Sequence, residues 1–202
     1  MLTVGMDARG VERMLEEGGL SCPGCGGRLA RWGYAQRRVV FGLGRRGRPV
    51  RPRRSRCTGC GVTHVLLPAG LLSRRPDEAQ VIGAALAAAA CGQGHRRIAR
   101  VLGVPADTVR GWLRWLAGRA GQVRDVFTRV AAAVSADPVP LAPAGSPARD
   151  AVVAVAAAAE AIASRWPRLL TVSPWEIASA VTNASLMAPV IMVRAANASS
   201  LW

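Results

Sequence analysis

Cys22-Pro-Gly-Cys25-Gly and Cys57-Thr-Gly-Cys60-Gly are one short phrase written twice, with thirty-one residues, 26 through 56, between the two CxxC pairs. Each CxxC can present two thiolates from a single tight turn, because the glycine that follows permits the backbone conformation that aims amides at sulfur. Two such turns close a tetrahedron of sulfur around one Zn²⁺. A redox pair of the thioredoxin kind needs one CxxC at a helix start inside a βαβ pattern, which surrounds neither copy. Cys22, Cys25, Cys57 and Cys60 are therefore read as ligands of one structural Zn²⁺. Four thiolates leave no open coordination position, so the metal is expected to hold the fold and do no chemistry. His64, four residues after Cys60, is read as an ordinary strand or surface histidine, and Cys91 as a lone buried thiol in an Ala-rich helix.

The second knuckle sits in a run of arginine. All 27 basic residues of the chain are Arg, against 12 acids. Residues 18–76 hold thirteen of them and no acid at all, whereas residues 1–17 are net acidic. GC-rich coding explains a preference for Arg over Lys, but not a block of charge without counter-charge, whose natural partner is a polyanion. Between the knuckles, "RRVVFGLGRRGRPVRPRRSRC" alternates arginine with apolar residues and proline. In an extended strand alternate side chains share a face. One face can pack on the zinc module while Arg48, Arg51, Arg53 and Arg54 project toward phosphate.

A second pattern lies in "HRRIARVLGVPADTVRGWLRWL", residues 95–116. Ile98, Leu102, Val104, Val109 and Trp112 fall at the spacing that buries one face of each of two helices against the other. Ala99 is small where they would cross, and Gly103 sits where the turn wants a positive φ. Pro105 can open the second helix. A preceding helix from about residue 77 to 90 would complete a trihelical helix-turn-helix unit. In that geometry the second helix enters the major groove of double-stranded DNA, presenting Ala106, Asp107, Arg110, Gly111 and Arg114 to bases. Arg96 and Arg97, with Arg100, are placed for phosphate.

The four-cysteine ribbon with "CPGCG" and "RCTGCGVTHVLLP", followed directly by "RRIARVLGVPADTVRGWL", resembles the N-terminal DNA-binding region of bacterial insertion-sequence transposases. It is similar also to short transposon-associated proteins that carry that region alone. The resemblance covers roughly residues 20–120 and implies recognition of transposon ends by ribbon and helix-turn-helix together. Full transposases cut DNA with three carboxylates on an RNase-H-like domain. After residue 120 only Asp125, Asp137, Asp150, Glu160 and Glu176 remain, on Ala-rich helices or in a linker. The expectation is a non-catalytic, sequence-specific DNA-binding protein, an accessory or catalytically empty transposase relative. A host transcriptional regulator, a truncated transposase or nuclease, and an RNA-binding ribbon are the competing readings.

These residues need elements to position them. The fold class expected is mainly α with a small β zinc ribbon, followed by the trihelical domain and C-terminal helices. The divisions are an N-terminal helix (1–20), a ribbon with an Arg-rich hairpin arm (21–72), a helix-turn-helix domain (76–120), a helix (121–136), a Pro-rich linker (137–148) and a C-terminal helical segment (149–202). In that last segment "SPWEIASAV" starts a helix with Ser173 as cap and Glu176 three residues on. Trp166, Leu169, Leu170, Trp175 and Ile177 are assigned to homodimerisation or docking of a transposase, or else to completing the core. The apolar stretches are too short and too Ala-rich for a membrane, and the first twenty residues lack the apolar run of a signal peptide. A cytoplasmic, nucleoid-associated protein with no small-molecule substrate follows.

Overall fold

The computed structural model describes residues 1–188 and Ile191, and its fold is mixed α/β: seven helices and a small sheet among the described residues. The chain divides into two units. The first comprises residues 1–40, 47–78 and 179 onward, the second residues 41–46 and 79–178.

In the first unit, strands β1 (Leu2–Val4), β2 (Leu29–Tyr34), β5 (Arg53–Cys57) and β6 (Thr63–Pro68) form one sheet in the order β1-β6-β5-β2. β1 runs parallel to β6, and the other pairings are antiparallel. The expected N-terminal helix over residues 1–20 is thus corrected: Leu2–Val4 is an edge strand, and the helix α1 (Ala8–Glu17) follows it. "LTV" reads as strand because its β-branched and apolar side chains are buried on both faces, which a lone amphipathic helix would not allow. Asp7 caps α1, accepting from the amides of Arg9 and Gly10, and Gly18 at φ 74° ends it. α1 buries Val11 and Leu15 against Leu2, Val4, Leu20, Leu29 and Leu66. Cys22 and Cys57 belong to the same cluster.

Strands β3 (Arg38–Phe41) and β4 (Gly47–Val50) make the two-stranded hairpin expected between the knuckles. Val40 and Val50 bury against Leu67, Leu71 and Ala184. Residue 184 sits there because Asn183 reaches the start of the chain. Its Oδ1 accepts from the Thr3 amide at 2.6 Å and its Nδ2 donates to the Met1 carbonyl at 3.0 Å. The expected division at 149–202 therefore breaks within itself: Ser179 onward counts with the first unit. Nothing in "TNAS" announces this, since the partners lie about 180 residues away.

The second unit is helical. α2 (Ala79–Ala90), α3 (His95–Leu102) and α4 (Ala106–Ala117) pack on one another. Gly94 caps α3, Gly103 ends it at φ 65°, and Pro105 stands as the N-cap of α4, one place earlier than expected. Of the residues whose spacing predicted burial, Ile98, Val104, Val109 and Trp112 are buried and Leu102 is only half-buried, while Ala99 and Leu116 are buried as well. A Cβ on Gly103 would meet the Cγ of Arg45 at 2.9 Å, so the hairpin tip, residues 41–46, packs on that turn. α5 (Ala120–Val134) lies along α6 (Pro147–Arg165). The segment between them, expected to be a Pro-rich linker, has no helix or strand over residues 138–145 and is held by side-chain contacts. Asp150 accepts from the Ala144 amide at 2.5 Å and pairs with Arg124, which also donates to the Leu141 carbonyl. In α7 (Pro174–Val181) the expected capping box is present: the Ser173 amide donates to Glu176 and Ser173 Oγ accepts from the Trp175 amide. The Trp175 indole fills the space over Gly83 where a Cβ would stand. Leu169 and Ile177 are buried too, so of the C-terminal apolar set these complete a core. Leu170 is the one that is largely exposed.

Candidate metal centre and arginine surface

The two knuckles fold alike because their sequences are alike. Gly26 and Gly61 both take φ 73°. Gly26 N–H donates to Cys22 O at 2.8 Å, and Gly61 N–H to Cys57 O at 3.0 Å. The Cys22 and Cys57 amides donate in turn to Gly27 O and Val62 O. The Thr58 amide and hydroxyl both donate to the Arg28 carbonyl, stitching the second knuckle to the strand leaving the first.

This brings the four sulfur atoms within 4.8 Å of one another, a group that could hold one metal ion. Cys22 Sγ lies 3.8 Å from Cys60 Sγ, and Cys25 Sγ 3.4 Å from Cys57 Sγ. A tetrahedron with metal–sulfur bonds of about 2.3 Å has edges of about 3.8 Å, so the donor set fits Zn²⁺. The packing around it fits as well. A Cβ on Gly27 would come 2.9 Å from Cys57 Sγ and 3.3 Å from Cys25 Sγ, so only glycine leaves room for the sulfurs to converge. The amides of Gly59 and Cys60 point at Cys57 Sγ at 3.3 and 3.5 Å.

The electrostatics of the bare sulfurs follow from these contacts. The Cys60 amide, helped by the neighbouring thiols, brings Cys57 down to about 6, so it is a thiolate at neutral pH. The Gly24 amide foremost lowers Cys22. The Gly27 amide pulls Cys25 the same way, but its hydrogen bonds to Cys57 and Cys60 outweigh that and push it up to about 11. Four thiolates cannot share so small a space without a cation. A divalent ion would take the place of the protons that keep the sulfurs together.

His64 departs from the expectation of an ordinary strand or surface residue. It is buried on β6, and its Nε2 lies 3.4 Å from Cys22 Sγ. With a metal bound to Cys22, an imidazole so placed would hold the sulfur in position. The one cue in the sequence was its spacing from Cys60. Cys91, expected to be buried in a helix, is exposed just past the end of α2.

The arginines divide into two kinds. The acids of α1, remote from the ribbon in sequence, come to lie against it. Glu12 pairs with Arg31 and Arg53, at 3.0 and 2.9 Å, and Glu16 pairs with Arg31. Glu78 pairs with Arg48 at 2.8 Å. Of the four arm residues singled out in the sequence, Arg48 and Arg53 are thus held by carboxylates, while Arg51 is exposed and Arg54 half-buried. Arg51 and Arg53 both lie over the Tyr34 ring, at 5.0 and 4.5 Å. They line a cleft of about 500 Å³ that Arg9 and Arg13 also border. Arg38, which the sequence reading passed over, is half-buried with Nε and Nη2 lacking any hydrogen-bond partner among the described residues. Its burial lowers the affinity of the guanidinium for its proton.

On the helical unit, Arg96, Arg97 and Arg100 are exposed on α3, as are Asp107, Arg110 and Arg114 on α4, with Ala106 and Gly111 partly so. Asp107 pairs with Arg110 at 2.9 Å across one turn. The fully exposed side of α4 is therefore polar and cationic, and its buried side apolar. No helix among the described residues is long and apolar enough to cross a membrane.

Residues 22–102 match a family described as a domain of unknown function, DUF6431. The matched span runs from Cys22 to the last residue of α3 and contains the four clustered cysteines together with Cys91. No curated protein and no solved structure matches the chain. The chain thus combines a match to DUF6431 over residues 22–102 with a four-cysteine cluster that could hold one metal ion.

Proposed function

We propose that this chain is a non-catalytic, sequence-specific binder of double-stranded DNA, in which one Zn²⁺ holds a ribbon and a helix-turn-helix reads the major groove. The observation that carries this reading is the pair α3–α4. It joins a left-handed Gly103 turn to a second helix that is apolar where it meets α2 and carries Asp107, Arg110 and Arg114 outward. Arg110 or Arg114 would donate in bidentate fashion to guanine, and Asp107 would accept from cytosine or steer Arg110. Arg96 and Arg97 would contact phosphate from the helix before it. In the first unit Arg51 and Arg54 would do the same, and Arg48 and Arg53, paired with Glu78 and Glu12, would join them.

The half-buried, unpartnered guanidinium of Arg38 supports an anionic partner, because burying such a group is costly unless an anion completes it. Zn²⁺ would be held by Cys22, Cys25, Cys57 and Cys60, supplying rigidity only. The likeness of ribbon and helix pair to transposase N-terminal regions makes transposon ends the preferred target and a transposase or a second copy the preferred partner. A transposase gene or inverted repeats beside the coding sequence would favour that role over host transcription.

Selection of bound sequences from a random duplex pool tests the reading directly. Enrichment of one motif, lost in an Arg110→Ala variant, is the expected result, and an unenriched pool would overturn it. If about six arginines neutralise phosphate, the log–log salt slope is about −5. Incubation with Mg²⁺ or Mn²⁺ that nicked DNA, with the activity lost on changing one acid after residue 120, would make the protein an enzyme instead.

A further inference from the structure

The register of the ribbon sheet sorts its side chains. Pairing of Ala30 with Arg56 and of Arg56 with Thr63, and of Arg54 with Val65, places these residues on one face. Leu29, Arg31, Ser55, Cys57 and His64 lie on the other face, where α1 supplies Glu12 and Glu16. Trp32, two residues after Ala30, belongs to the first face, and the Arg56 guanidinium lies 4.8 Å from its ring centroid. A register shift then follows: Gly33 takes φ 79°, and Tyr34 pairs with Arg53 on the α1 side. The irregularity separates two aromatic residues that simple alternation would have put side by side.

The two faces differ in charge as a result. The acids of α1 neutralise the arginines of its own face, while the Trp32 face carries Arg54 and Arg56 and, among the described residues of its strands, no acid. Trp32 is 48% exposed, which for an indole on a sheet face is a large uncovered area. Beside it a shallow cleft of about 670 Å³ is bordered by Trp32, Arg56, Thr58 and the glycines of the second knuckle.

We propose that this open sheet face binds an unpaired nucleic-acid strand, a base stacking on Trp32 and Arg56 while Arg54 and the Arg56 edge meet phosphate. A duplex keeps the flat faces of its bases inside and offers only edges and phosphates, so an exposed indole stacked on a guanidinium has no use for it. Unpaired bases present those flat faces, and aromatic and arginine planes are what they stack upon. The inference rests on the nucleic-acid reading above, and adds a second site of different specificity to it.

The test uses the zinc-loaded chain and fluorescence anisotropy with labelled dT12, labelled U12 and the blunt duplex selected above. The parent is expected to bind the single strands, and Trp32→Ala to weaken that binding about tenfold or more. Trp32→Phe should restore most of it, and Trp32→Ala should leave duplex affinity unchanged. Arg110→Ala should do the reverse. One zinc per chain in each variant shows that the ribbon is intact. Tighter binding of U12 assigns the face to RNA, and of dT12 to DNA. Failure of the parent to bind either oligonucleotide overturns the proposal, as does a Trp32→Ala variant that binds them like the parent. Equal loss on single strand and duplex also overturns it, since Trp32 would then serve the duplex. Because dT12 binding does not depend on the selected motif, an unenriched pool would sink the duplex reading and leave this one standing.

Discussion

The first unit buries leucines and valines around two cysteine sulfurs, with no Phe, Tyr or Trp among the described residues of that cluster, whereas the second buries Trp112 and Phe127 among alanines on regularly spaced helical faces. The contrast concerns where cohesion comes from. Helices meet along continuous stripes, and small alanines let α5 and α6 lie close along their length. Short strands rich in arginine and glycine have no such stripe. Their cohesion is concentrated at one point, where two knuckles converge, and structural zinc can supply about 10–16 kcal/mol of apparent folding free energy to small domains of this type.

Removing the metal is the strongest way to break that comparison. A chelator, or Cys57→Ser, is expected to unfold the first unit while leaving the helical signal of the second largely in place, read by hydrogen exchange and far-ultraviolet circular dichroism. A ribbon that keeps one zinc per chain in Cys57→Ser would refute the assignment. The pH dependence sharpens the same point. Zinc takes thiolates, and at pH 7 Cys25, at about 11, still holds its proton, while Cys57, at about 6, does not. Loading at pH 7 therefore releases protons, and a fall to pH 5 adds the Cys57 proton to be displaced. Affinity should weaken as pH falls, by about tenfold per unit for each proton displaced, measured by competition with a chromophoric chelator.

On the helical side the sensitive point is a glycine. Alanine at an exposed helix-interior glycine stabilises by about 1 kcal/mol. At Gly83 the Trp175 indole occupies the space, and Gly83→Ala is expected to cost about 1–3 kcal/mol by overpacking, seen as a lowered thermal midpoint with zinc content unchanged. The smallest effect is the most diagnostic of function. Arg38→Met removes a half-buried guanidinium without partners, and should raise stability by up to about 1 kcal/mol while weakening DNA binding. A variant that is more stable and binds DNA as well as the parent would mean that Arg38 meets no phosphate.

Some features were legible because they are local. The paired knuckles, the buried set Ile98, Val104, Val109 and Trp112, the left-handed Gly103 and the Ser173–Glu176 box each depend on residues a few places apart, where spacing and backbone preference decide the outcome. Other features were not. "LTV" is too short to reveal a strand without β6 beside it, and the partner of Asn183 stands at the other end of the chain. The charge count showed thirteen arginines without an acid in residues 18–76, yet Glu12, Glu16 and Glu78 from outside that block neutralise part of it.

What the sequence by itself determined is the chemistry available: four thiolates at paired spacing, a turn that only glycine makes easily, and an excess of arginine. Tertiary structure alone decided which arginines are spent on internal carboxylates and which face outward, and it turned Trp32 and Tyr34 to opposite sides of one sheet. The physical reason is that ligand spacing and turn preference act within a few residues. Charge pairing and the face of a strand are fixed by neighbours that only pairing register brings near.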